Sequence, residues 1–381
     1  MEITGLDFTF FRVNLYYNIV AKNIDALEVG AMVKKLIGKL RLILFAGVCC
    51  LPVTSSAYGE VILEYITPTP ESSPADLAFD DQGNLWFTEL NGNRIGKLVP
   101  SRAKSLTSQG ITEYELPHPN SKPNYLTIAK NGMIWFTELG GNRIGSLDPK
   151  NGWIKEYEIP TPHSQPHEII EAPDGAIWFL EFQTNKIGRL EPANGRITEY
   201  PIGPGNPHDL VIADDKIWYT QGGMFWVNTF SNKLGSLDIK TGAVEVIRIP
   251  PEKSVPYGLT LAEDGALWFT QLLSSKLARY DRSRNKTKIV EYPLSKGRKP
   301  RDLRVHENQV WFTASEPDAI GVLDLSKARP GTGQGVKYYE LPDPESHPTQ
   351  ITLDKQGNIW FTEPGDYFQG KYNNKIGLLV P

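Results

Sequence analysis

Two histidines stand at matched places in this chain. Each follows a proline, as Pro166-His167 and Pro207-His208, in a protein with six histidines among 381 residues. Imidazoles take up and release protons near neutral pH and also ligate divalent cations. A neighbouring carboxylate would complete an acid–base pair or a metal site. The sequence offers Glu181, which closes the run Trp-Phe-Leu-Glu, and Asp209, beside His208. Tyr257 holds the corresponding place after Pro256. His167 and His208 are therefore expected to be catalytic, with Glu181 between them and with Asp209 and Tyr257 against the substrate. The plainer alternative is that both histidines only tie neighbouring loops together. His118, His163 and His347 fall in connections on the same side and are weaker candidates, and His306 falls near the opposite turn.

A repeat must position these residues. Seven tryptophans, Trp86, Trp135, Trp178, Trp218, Trp268, Trp311 and Trp360, recur every 40–50 residues, most within Trp-Phe-Thr-Glu or a close variant. That period is one four-stranded propeller blade. The pieces of each repeat are a strand after a proline, an Asp-x-x-Gly turn, the tryptophan strand, an Asn-Arg/Lys-Ile-Gly strand and a Glu-Tyr-x-Leu/Ile-Pro strand. The tryptophans are expected to pack between blades, and the recurring glycines and asparagines to serve turns and bulges. The chain offers a lone fourth strand at Glu64-Tyr65 and ends on a third strand at Lys375-Ile376-Gly377. The expected fold is all-β: a seven-bladed β-propeller closed by the N-terminal strand completing the last blade, which leaves no open sheet edge at the seam.

In such a ring the residue after each proline approaches the end of the tryptophan strand at the mouth of the channel. Residues that depart from the repeat there are the functional candidates, since packing does not explain them. Around the ring these are Asp76, Asn124, His167, His208, Tyr257, Arg301 and Thr349, followed by Glu168, Asp209, Asp302 and Gln350. Two loops after the tryptophan strand are enlarged, Gly222–Phe230 with Trp226 and Pro364–Tyr372. Their aromatics would wall an apolar or cyclic ligand, with Trp226 as a binding residue, or else pack on themselves.

The N-terminal 57 residues read differently. Lys34, Lys35, Lys39 and Arg41 precede an apolar run, Leu42–Val53, and small residues Ser55 and Ala57 follow. This order is that of a secretory signal cleaved after Ala57, with a start near Met32 and an upstream extension before it. The apolar run is short for a membrane span. Residues 58–381 would form the propeller, secreted or periplasmic, working as a monomer. The only cysteines, Cys49 and Cys50, would leave with the signal, so no disulfide would support the ring. A formal charge of -4, with no basic stripe and no phosphate loop, argues against nucleic-acid and nucleotide partners.

The combination of Trp-Phe-Thr-Glu, Asn-Arg/Lys-Ile-Gly and Glu-Tyr-x-Leu/Ile-Pro with Pro-His blade openings resembles the virginiamycin B lyase (streptogramin B lyase) family, over about residues 59–381. The resemblance implies a lyase that opens a cyclic depsipeptide by eliminating across its ester. Mg²⁺ would polarise the substrate and a histidine would move the proton. The family's histidines match His167 and His208. Its two metal glutamates fall on Asn206 and Gln221, so both carboxylates are neutral amides here, and Mg²⁺ is expected to bind far more weakly.

Three functions compete on this basis. One is a C–O lyase acting on cyclic esters or depsipeptides. Another is a binding propeller without the metal, taking a small cyclic peptide or ester, or a peptide or glycan, at the channel mouth. The third is a lactonase-type hydrolase using Asp76, Glu89, Glu138 and Glu363. Export argues against a dedicated intracellular resistance role.

Overall fold

The computed structural model describes residues 60–224, 229–250, 253–282, 289–366 and 369–381. The segment expected to direct export, with Met32 and both cysteines, and also Trp226, lie outside the described residues. Seven four-stranded antiparallel sheets follow one another around a ring. Blade three is typical: Pro166–Glu171, Ile177–Glu181, Lys186–Glu191 and Arg196–Pro201. Among the described residues no helix is long and apolar enough to cross a membrane.

The alternation of the tryptophan strand explains how blades stack. In blade three Trp178 and Leu180 pack against Ile217 and Tyr219 of blade four, while Ile177 and Phe179 face Trp135 of blade two. All five residues of this strand are buried, as expected for a strand covered on both faces. Each tryptophan also meets a tyrosine of the fourth strand, as in Trp178–Tyr200 at 5.5 Å between ring centroids. Blade four lacks that tyrosine, and Trp218 instead meets Tyr280 of the next blade at 5.9 Å.

The glycines divide into two kinds. Gly83, Gly132 and Gly175 have φ between +78° and +83° in the turns between first and second strands; the residue three before is Asp80 in blade one but Ala129 and Ala172 in blades two and three. The third-strand glycines are not turn or bulge residues. Gly188 sits mid-strand opposite Phe179, where an added Cβ would lie 2.1 Å from the ring. The phenyl ring lies over bare backbone; the same Phe–Gly pairing recurs in four further blades, and blade four sets Tyr219 over Gly235.

The seam closes as expected. Val61–Ile66 pairs antiparallel with Lys371–Val380, from Val61 opposite Val380 to Ile66 opposite Lys375. Tyr65 then stacks on Trp360 at 5.4 Å, so the closing blade rebuilds the same tryptophan–tyrosine contact from the two ends of the chain.

Candidate functional site

The pairing of first and second strands slips at the start of six blades. In blade three the register shifts between Pro166 and Ile169, and in blade four between Pro207 and Leu210. Such a bulge re-aims the residues it frees. The residue after each proline turns into a cavity of about 420 Å³ at the channel mouth. Ala75, Asn124, His167, His208, Tyr257, Arg301 and Thr349, one from each blade, all line it. Asp76, read from the sequence as blade one's mouth residue, lies one layer deeper, and Ala75 takes its place.

The sequence correctly puts the two imidazoles together, with ring centroids 6.1 Å apart. The ring between them is Phe182, 5.4 Å from His167 and 5.3 Å from His208. Glu181 is not there: its Oε2 accepts from Thr184 Oγ1 at 2.8 Å, and burial, then the nearby Glu199 charge, raises its carboxyl to about 7. Tyr257 meets His208 at 4.6 Å, and Tyr125 meets His167 at 4.5 Å. The arc therefore runs Tyr125, His167, Phe182, His208, Tyr257. Phe182 and Tyr125 were missed in the sequence, although Phe182 replaces the leucine found at that place in blades one and two.

Backbone carbonyls fix both tautomers. His167 Nδ1 donates to the His208 carbonyl at 2.9 Å, which leaves Nε2 as its basic nitrogen. His208 Nε2 donates to the Gly223 carbonyl at 2.9 Å, and its buried Nδ1 has no partner. Burial lowers the pKa of His167 to about 4; burial together with the charges of His167 and Arg301 lowers that of His208 to about 3. Both rings are neutral at physiological pH. His347 also lines the cavity, with Asp366 3.9 Å from its Nε2, whereas His118 is exposed and pairs with Glu156.

Asp209 belongs to the layer beneath. Its oxygens accept from Leu210 N and Leu259 N, both at 2.6 Å, which clamps blade four to blade five. Asp76 and Asp302 make the same two-blade clamp. With the half-buried Glu168 they form an acidic plug, and the half-buried Arg304 reaches Asp302 through Nη1 at 2.7 Å within it.

The donor set implied for Mg²⁺ does not fit. Asn206 Nδ2 donates to the Phe182 carbonyl at 3.0 Å, and Gln221 Nε2 to the Gly203 carbonyl at 2.9 Å. Each amide uses its donor end to brace a neighbouring loop and carries no charge toward the imidazoles. Among the described residues no group of three or more His, Cys, Asp or Glu side chains is placed to hold a metal ion. Asn206 instead lines a more open hollow of about 830 Å³ with Ser231 and Lys233. The enlarged loops do reach the mouth, through Met224 on one side and Pro364, Gly365 and Asp366 on the other.

Comparison with known proteins agrees with this architecture. The family model described as the virginiamycin B lyase family matches residues 55–227 and 105–369. A virginiamycin B lyase of Bacillus licheniformis is 50% identical over 38 residues, which is 10% of this chain and 13% of that protein's length. A streptogramin B lyase structure superposes with a TM-score of 0.72 at 30% identity, covering 84% of this chain and 97% of the other. Virginiamycin B lyase from Staphylococcus aureus gives 0.71 at 29% identity, covering 85% and 100%; a catalytically inactive variant of that enzyme with quinupristin superposes equally well. With its seven blades, its paired Pro-His openings and a match over most of its length, this chain belongs to the virginiamycin B lyase family.

Proposed function

We propose that this family member is an exported, monomeric binding propeller that takes a small cyclic peptide or ester at its channel mouth without Mg²⁺. The observation that carries this reading is the pair of amides, Asn206 and Gln221, tied to backbone carbonyls where a hard cation needs carboxylates. The chemistry agrees. Without a Lewis acid on the ester carbonyl, the adjacent C–H stays a very weak acid. An imidazole whose pKa is held near 3 is a poor base for it. What remains is a cavity of ligand size with an aromatic arc and neutral donors and acceptors, the composition of a binding site. Export rests on the basic, apolar, small order of residues 34–57.

Quinupristin is a suitable first probe. Calorimetry of residues 58–381 is expected to show binding that is indifferent to added Mg²⁺, and mass spectrometry no linearised product. Mg²⁺-dependent linearisation that disappears in His208→Ala would overturn the proposal. It would establish the second reading, a C–O lyase, which the unpartnered Nδ1 of His208 favours. The double substitution Asn206→Glu with Gln221→Glu is expected to raise Mg²⁺ affinity by at least tenfold, measured by calorimetry.

A further inference from the structure

We infer that the ligand of the mouth cavity carries an anionic group, a carboxylate in its simplest form, seated on Arg301. This rests on reading the cavity as a ligand site and adds the charge class of what it takes.

Arg301 occupies in blade six the place that His167 and His208 occupy in blades three and four, directly after the blade's first proline. Its Nε donates to Ser315 Oγ at 3.0 Å, and its guanidinium carbon lies 5.8 Å from the Tyr257 ring centroid. Those two contacts orient the fork at the wall of the cavity it lines. Among the described residues no carboxylate pairs with it. Several other arginines are paired with carboxylates: Arg94 with Glu113, Arg143 with Glu138, Arg298 with Glu340 and Arg304 with Asp302. A guanidinium suits this place because its planar fork matches a carboxylate in two parallel hydrogen bonds.

The remaining charges do not compensate it. Asp366, the carboxylate on the cavity wall, stands 3.9 Å from His347 and accepts the Gln369 N–H. The acids of the plug below accept backbone N–H bonds, and Arg304 lies among them. An anion is thus favoured at the rim beside Arg301 and opposed further down the channel. Next to Arg301, the Tyr257 and His208 rings, tilted by 33° with centroids 4.6 Å apart, offer aromatic surface for the body of the ligand.

The test compares indole-3-acetate with indole-3-acetamide, two probes of one shape that differ in charge. Calorimetry is run alongside NMR of the imidazole resonances of residues 58–381. The carboxylate is expected to bind at least tenfold more tightly than the amide. Arg301→Gln should abolish that difference, with the thermal midpoint recorded as the control for folding, and Arg301→Lys should keep part of it. Equal binding of the two probes, with the imidazole resonances responding to both, would overturn the anionic seat and leave the cavity as a ligand site. Preference for the carboxylate that survives in Arg301→Gln would do the same. No response to either probe would overturn both the seat and the site.

Discussion

In five blades a threonine hydroxyl of the tryptophan strand donates to the carbonyl of the residue after the next blade's proline, as Thr220 does to Tyr257 at 2.6 Å. Blade three has Leu180 there, so the His208 carbonyl is left for His167 Nδ1. A leucine thus sets the tautomer of a histidine it does not resemble in chemistry. Leu180→Thr is expected to restore the hydroxyl clip and release the His167 ring, seen in ¹⁵N NMR as a smaller Nδ1-protonated population. A cost of about 1–3 kcal/mol in stability is expected, since a buried hydroxyl replaces packed methyls. The histidines themselves were legible because they break the repeat at one fixed place. Asp209 was legible as a blade-opening residue but misplaced as a ligand contact. Periodicity says which residue follows the proline, not which of two stacked layers its side chain joins.

At the scale of the blade, four second strands end in a glutamate near another on the fourth strand: Glu89 with Glu113, Glu138 with Glu156, Glu181 with Glu199 and Glu363 with Glu64. Glu89 is fully buried, and burial followed by the Glu113 charge raises it to about 9. Blade five replaces this acid with Gln271, whose Nε2 donates to Glu291 Oε1 at 2.9 Å. A group raised in the folded state binds its proton longer than in the unfolded chain. The stability it contributes is full below about pH 4.5 and is lost as pH rises through about 9 for Glu89, and through about 7 for Glu181 and Glu363. Glu89→Gln is therefore expected to raise the thermal midpoint by several degrees at pH 9 and leave it nearly unchanged at pH 5. The repeated glutamates were visible in the sequence. Their pairing was not, because the partner lies two strands away.

The whole ring combines this alkaline loss with an acid one. His167 and His208, depressed to about 4 and 3, stabilise the fold fully above about pH 6.5, and that contribution fades as pH falls toward 3. Thermal midpoints across pH 3–10 are expected to trace a dome, and replacing both histidines with asparagine should flatten its acid side. Ring closure was legible because the end pieces complement each other, and it bears directly on stability. Tyr65→Ala removes the stack on Trp360 and is expected to cost about 3 kcal/mol, measured by denaturant unfolding. The closing pair has one more consequence. Asp366, on the cavity wall, pairs with Lys371 at one end of the last two strands, and Val61 pairs with Val380 at the other end. A surface or fluorophore attached through Pro381 would therefore hold the ring by its back, with the cavity turned outward to the solution.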